Sequence, residues 1–429
     1  MSQPMSQPTQ LRGWVTTFAG TGINLALGVL YSWSIIATTL TAPVDKGGWG
    51  WTTLQSQIPY AVACGVFALM MVPAGRSQDK FGPRIVAGLG GALTGLGLIL
   101  ASLASKDSAL LMIIGFGILA GTGIGFGYGS ATPPAVKWFP PQKKGLISGL
   151  VVAGFGLASV YISPLATALL KAYGVNKTFL ILGIAFFIVT VGLAQLLANP
   201  PAGYVPKGMP PAPKTGAPMK KHDYDWQEMI STPTFYLLWL MFAFGAAAGL
   251  LTIGTLAKIV VAKVEPAQAA SMASLMVALL AVSNAGGRIV AGFLSDKIGR
   301  TRTMLLVFVL QAFFMAMFPS FGTVFLLILG SCAVGFNYGS LLSLFPSTTA
   351  DYYGTKNLGV NYGLVFTAWG VGGVFGPIMA GRIKDVFGAF NNAFYIAAVL
   401  CIVAAGLTFL TKAPRAAYVA GESPAPVAK

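Results

Sequence analysis

Apolar runs long enough to cross a bilayer recur twelve times along this chain, each bounded by polar clusters. A window of about 19 residues, the length that spans a hydrocarbon core, picks them out. They fall at 14–40, 53–75, 84–104, 109–136, 145–170 and 178–198, then at 234–261, 268–292, 303–319, 322–350, 358–381 and 391–411. The expected fold is an all-α membrane protein with twelve transmembrane helices. Composition agrees. Only 9% of the 429 residues are charged and 55% are hydrophobic, whereas an ordinary soluble domain carries about 25% charged residues. The 54 glycines fit helices that approach closely in a membrane.

Residues 1–198 and 234–429 each hold six runs. Between them, 199–233 carries Pro200, Pro201, Pro206, Pro210, Pro211, Pro213 and Pro218, which forbid regular helix. The end of this linker, 225–230, is expected to form a short amphipathic helix on the membrane surface. With both termini and the linker on the cytoplasmic side, Lys and Arg divide 18 inside to 8 outside, leaving Arg288 over. That bias points to cytoplasmic termini, and the expected location is the cell (inner) membrane. The net charge of +16 is then topology signal, and no motif points to nucleic acid. The N-terminus lacks a basic n-region and a cleavage site, so the first run is expected to be a retained span. Cys64, Cys332 and Cys401 all lie in apolar runs and read as free thiols. The lone histidine, His222, lies in the linker, so no histidine-ligated metal is supported and no cofactor is expected.

The two halves repeat each other. Gly75, Asp79, Lys80 and Gly82, with Arg84 after them, recur as Gly292, Asp296, Lys297 and Gly299, with Arg300 and Arg302 after them, at an offset of 217. Gly125 to Ser130 recurs as Gly335 to Ser340 at an offset of 210. Repeats in the same order at a near-constant offset imply two pseudo-symmetric six-helix bundles with the substrate site between them, near the midplane.

Arg288 lies inside the eighth run, eight residues before Asp296. That is about 12 Å along a helix. A guanidinium in mid-span costs roughly 2.5–3.5 kcal/mol on insertion scales and marks a functional site. No second charge lies this far from every expected membrane surface. The pattern points to an anion that comes and goes. Asn284 shares the helix face with Arg288 at i, i+4 and can orient the guanidinium or the substrate.

The Gly-xxx-Asp-Lys-x-Gly loops have a mechanical reading. The first glycine (Gly75, Gly292) allows close helix contact and the second a tight turn, while the acid (Asp79, Asp296) caps a helix or pairs with a base such as Arg84 or Arg300. Such a cluster can latch the cytoplasmic side. This loop, found twice, resembles the signature of the major facilitator superfamily. Tyr31 to Ser34, Tyr128-Gly129 with Lys137 to Pro140, Glu228 to Pro233 with Phe235, and Asn284 with Arg288 to Arg300 resemble its oxalate–formate antiporter branch. That branch is related to monocarboxylate transporters, which also carry an arginine in span 8. The resemblance runs from span 1 to span 12.

Two departures bear on function. In the oxalate carrier a span-11 lysine follows an Asn-Tyr-Gly and pairs with the arginine to hold a dianion. Here Asn361-Tyr362-Gly363 leads to Trp369 at that place. One cation with more aromatic surface suits a single carboxylate, and Trp369 is expected to be cavity wall. Mammalian-type monocarboxylate transporters place an aspartate one turn before the arginine, where this chain has Asn284. The acids here lie in loops, at span ends or in tails. Asp351 is the best coupling candidate, though a surface role fits it better. Tyr31, Tyr128 and Tyr338 can donate to a carboxylate or serve as packing. Asn337 is either a cavity group or an interhelical hydrogen bond. Lys258 is expected to snorkel to the outer surface.

The resemblance implies a secondary transporter, not an enzyme, that works as a monomer in the lipid bilayer. Its expected substrate is a small monocarboxylate anion of the lactate and pyruvate class, with the proton as coupling ion. The rival is an organic-anion exchanger of the oxalate–formate type.

Overall fold

The computed structural model describes residues 10–140, 143–201, 204–206, 223–354 and 357–414. The N-terminal nine residues, the linker from 207 to 222 with His222, and the tail beyond 414 lie outside them. Among the described residues, eleven continuous helical stretches are long and apolar enough to cross a membrane. The longest, Lys144–Ala194, contains two expected spans. They part at Gly174, whose φ of 73° and ψ of −178° no helix tolerates. All twelve expected spans are thus helical.

In chain order the first half holds α1 (Gln10–Leu27), α2 (Trp33–Thr41), α3 (Thr53–Phe81), α4 (Pro83–Ala101), α5 (Leu110–Met112), α6 (Gly121–Lys137) and α7 (Lys144–Ala194). A 3-10 turn, Gly28–Ser32, joins α1 to α2 inside the first span, and a π-helical stretch, Ile113–Ala120, joins α5 to α6. A short α8 (Trp226–Ile230) precedes the second half: α9 (Pro233–Lys263), α10 (Pro266–Ile298), α11 (Arg300–Met317), α12 (Val324–Tyr353), α13 (Leu358–Phe387) and α14 (Asn391–Leu410).

Local chemistry sets these boundaries. Thr52, Thr232 and Thr323 cap α3, α9 and α12 through their hydroxyls. Asp225 and Glu228 form a reciprocal capping box, which starts α8 where the short helix is expected. Gly82 and Gly299 turn the chain at φ 82° and 95°, the repeated tight turn of the signature loop. Several helices overrun the expected spans. α3, α10 and α13 continue for about a turn and a half until a glycine stops them. Apolar periodicity marks where a span leaves the bilayer, not where its backbone hydrogen bonds end.

The halves meet along two seams. On one, Gly363, Gly370, Gly373 and Gly381 of α13 lie against Val72, Ala68, Cys64 and Leu54 of α3, so small residues bring the backbones together over the whole length. On the other, α7 faces α10 at Gly156 and Arg288. The end of the linker docks on the second half. Tyr224 accepts from Asn357 and Asn361 at 3.0 Å, and its backbone N–H donates to Tyr353 O at 3.0 Å. The end of the bundle near Tyr224 is the linker side; the opposite end is the far side.

Candidate functional site

Arg288 is 7% exposed and lies on α10 where it faces α7. Its Nε donates to Asn284 Oδ1 at 3.0 Å, the expected i, i+4 contact. Its Nη1 donates across the interface to the Val152 carbonyl at 3.0 Å. Gly156 leaves room for the guanidinium. A methyl at that position would stand 3.5 Å from Arg288 Cζ and 3.3 Å from Asn284 Oδ1. The Tyr128 side chain lies within electrostatic reach of the same guanidinium. Among the described residues no carboxylate lies within ion-pair distance of Arg288. Among the described residues, the Nδ2 of Asn284, fully buried, has no hydrogen-bond partner.

Next to this cation the remaining aromatic candidates converge. The Tyr31 and Tyr338 hydroxyls lie 2.9 Å apart, and Trp369 Nε1 donates to Tyr338 at 2.6 Å. The 3-10 turn Gly28–Ser32 places Tyr31 there, because Gly28 packs directly on Phe155 and Ala158 of α7. Three residues that the sequence does not single out complete the aromatic cluster. Phe67 centres the cluster, with ring centroids 5.4 Å from Tyr128, 5.7 Å from Phe155, 5.6 Å from Phe366 and 5.1 Å from Trp369. Phe155 meets Tyr31 edge-on at 5.1 Å, and Phe366 stacks on Trp369 at 5.0 Å. Apolar periodicity cannot separate a phenylalanine of this cluster from one packed elsewhere in the core, so no sequence signal marked them. Asn337 is buried, but among the described residues it makes no hydrogen bond to Arg288, Tyr338 or Trp369.

The far side of this cluster is sealed by polar contacts between the halves. Asp385 of α13 accepts from the backbone N–H groups of Thr53 and Leu54, each at 2.8 Å. Gln57 Nε2 donates to the Gly254 carbonyl at 3.0 Å. Lys258 does not snorkel as expected. Its ammonium donates to Ser56 Oγ at 2.5 Å inside the interface, because the helix face it shares with Gly254 points at α3. Ser56, Gln57 and Tyr60 are fully buried. Tyr128 and Tyr362, toward the linker side, are only half-buried.

The repeated signature loops sit at the linker side and act within each half. Arg300 bridges Asp296 at 2.7 Å and Asp351 at 2.8 Å and also donates to Ser295, tying α10, α11 and α12 together. Asp351 is thus committed to Arg300. Arg84 Nε donates to the Leu197 carbonyl at 2.8 Å, again inside one half. Gly75 and Gly292 have no neighbour within 4 Å of where a Cβ would stand, so neither makes the expected close helix contact. Each lies six residues before the end of its helix, beside open space. The side chain of Asp79 lies outside the described residues.

A buried cation and an aromatic wall, gathered between two helical halves, suit transport more than chemistry, and comparison with known proteins agrees. The family model of the major facilitator superfamily matches residues 14–270 and 264–428. The oxalate:formate antiporter of Oxalobacter formigenes is 33% identical over 89% of this chain and 86% of its own length. An uncharacterized MFS-type transporter of Escherichia coli K12, YhjX, is 31% identical over 84% and 86%. Monocarboxylate transporter 13 of Bos taurus is 25% identical over 85% and 90%. Among solved structures, a bacterial homolog of the human lysosomal transporter Spinster, inward-facing and unoccupied, superposes with a TM-score of 0.60 at 18% identity, covering 92% of this chain and 97% of that one. That likeness speaks for the fold. The chain is a membrane transporter, not an enzyme, and belongs to the major facilitator superfamily, in the branch that includes monocarboxylate transporters and the oxalate:formate antiporter.

Proposed function

We propose that the chain is a secondary transporter of small monocarboxylates, of the lactate and pyruvate class, working by proton symport and alternating access. One observation carries this reading. Arg288 is buried at the interface of the halves with no acid partner among the described residues, and aromatic rings lie beside it. A guanidinium forks onto a carboxylate with two donors. Asn284 Nδ2 and the tyrosine hydroxyls offer further donors. The ring wall suits a short apolar tail. A second carboxylate would meet Trp369, Phe366 and Phe67, which offer no compensating charge.

In this reading the linker side faces the cytoplasm. The far side, closed by Asp385, Gln57 and Lys258, faces outward. Binding neutralises Arg288, which lowers the cost of closing low-dielectric walls around it. Among the described residues no acid contacts Arg288, so the proton is proposed to travel on the carboxylate itself. A second reading is favoured by the 33% identity to the oxalate:formate antiporter, namely exchange of organic anions without net proton movement.

Uptake of radiolabelled lactate into proteoliposomes tests both. An inward proton gradient should drive accumulation, and Arg288→Ala should abolish it. Full transport by the alanine variant would remove the substrate site. Lactate exchange indifferent to the gradient, but stimulated by a second anion inside, would favour the exchanger.

A further inference from the structure

Trp369, Tyr338 and Tyr31 form a line of hydrogen bonds that crosses from one half to the other. An indole N–H is a donor only, so the first bond has a fixed direction. Tyr338 accepts it at 2.6 Å. Tyr338 has one proton of its own, and among the described residues its remaining partner is Tyr31 at 2.9 Å. If that proton goes to the Tyr31 oxygen, the Tyr31 proton is left over. The three side chains are 1%, 1% and 2% exposed, so bulk water does not compete for these groups. Tyr31 also lies within the electrostatic reach of Arg288, where a bound carboxylate would sit.

We propose that Trp369 is a positioning residue for the transported anion. It sets the direction of donation along the line, so that Tyr31 presents its proton to the carboxylate held by Arg288. This rests on the carboxylate reading of the site. Each donation polarises the next hydroxyl and makes the last a better donor. No proton changes owner. The line also has a seam. Trp369 and Tyr338 belong to the second half, and Tyr31 to the first. The Tyr338–Tyr31 bond therefore exists only when the halves meet around the site. The anion gains its strengthened donor on occlusion, not on first contact, and a ligand shifts a conformational equilibrium only by such a difference. Trp369 thus acts on the translocation step more than on capture.

The test is a double-mutant cycle on lactate exchange in proteoliposomes, with Trp369→Phe, Tyr338→Phe and the pair. Trp369→Phe keeps a ring against Phe366 and Phe67 but removes the N–H. As a shape-matched control, 3-benzothienylalanine at position 369 replaces the N–H with sulfur and keeps the bicyclic ring. We expect each single change to slow maximal exchange by about tenfold, the scale of one buried hydrogen bond, with half-saturation moving less than about threefold. The pair should be no slower than either alone, because the line acts as a unit. Multiplied losses in the pair, or wild-type exchange by the benzothienyl protein, would overturn the proposal. Arg288→Ala is measured alongside. If that variant transports fully, the carboxylate reading fails. If it is inactive and the cycle is additive, only the role of Trp369 fails.

Discussion

The carboxylate of Asp385 accepts the backbone N–H of Thr53 at 2.8 Å, and its second oxygen accepts that of Leu54 at the same distance. An acid from the end of α13 thus caps the start of α3, across the boundary between the halves. Helix N-termini expose unpaired N–H groups and a positive dipole end, so an ionised carboxylate fits there well. Losing it leaves two donors of a helix start without their acceptor.

Asp385→Asn should therefore loosen the far side. Cys64 is a native reporter, because it is fully buried between α3 and α13 beside Gly373. With Cys332 and Cys401 replaced by alanine, labelling of Cys64 by an impermeant maleimide from the far side should speed up about fivefold or more, as expected for losing one to two charge-assisted hydrogen bonds. An unchanged labelling rate would show that Asp385 does not hold the gate.

Asn284→Asp should make the site depend steeply on pH. The new carboxylate would stand where Asn284 Oδ1 now accepts from Arg288 Nε at 3.0 Å. Ionised, it pairs with the guanidinium and competes with the substrate. Protonated, it releases it. Lactate affinity should fall by about tenfold or more at neutral pH and recover as the pH is lowered, the direction set by which form pairs with Arg288. Binding by scintillation proximity across a pH series checks this. A flat profile equal to wild type would contradict the geometry of the Asn284–Arg288 pair.

Much of this site was legible in the sequence, because charge in hydrocarbon is rare and costly. Arg288 stood out for that reason, and Asn284 followed from the helical repeat. Tyr31, Tyr128, Tyr338 and Trp369 came from internal symmetry and resemblance, and the structure brings them together with Arg288. Phe67, Phe155 and Phe366 were not legible, since an aromatic residue in an apolar span looks the same in a wall as in a core. The far-side closure was missed for a different reason. Asp385 and Lys258 sit at span ends, where charges are cheap and topology accounts for them. Their partners are a backbone N–H pair and a serine hydroxyl on a helix distant in sequence.

Asp351→Asn should leave transport intact and cost little stability. Asp351 accepts from Arg300 at 2.8 Å, but its side chain is 50% exposed and Arg300 keeps Asp296 at 2.7 Å. A partly exposed pair of this kind contributes under about 1 kcal/mol after solvent screening. The apparent melting midpoint should drop by a few degrees at most, about 1–3 °C for a change of that size. Lactate accumulation under a proton gradient should persist. Loss of gradient-driven uptake with exchange preserved would instead make Asp351 the coupling acid.

Trp369→Lys should move selectivity toward dianions. The indole is 1% exposed, stacks on Phe366 at 5.0 Å and meets Phe67 edge-on at 5.1 Å. A lysine there adds a second cation to a site whose present cation is Arg288. With a monocarboxylate bound, one of the two charges stays uncompensated in low dielectric, whereas a short dicarboxylate compensates both. Lactate uptake should fall by about tenfold or more, because a buried unpaired charge costs several kcal/mol even after relaxation. Unlabelled oxalate should compete with labelled lactate better in the variant than in wild type. The substitution also removes the donor to Tyr338, so Trp369→Phe serves as the baseline that separates lost donation from added charge. A lysine variant that still prefers lactate over oxalate, relative to that baseline, would show that residue 369 does not face the transported anion.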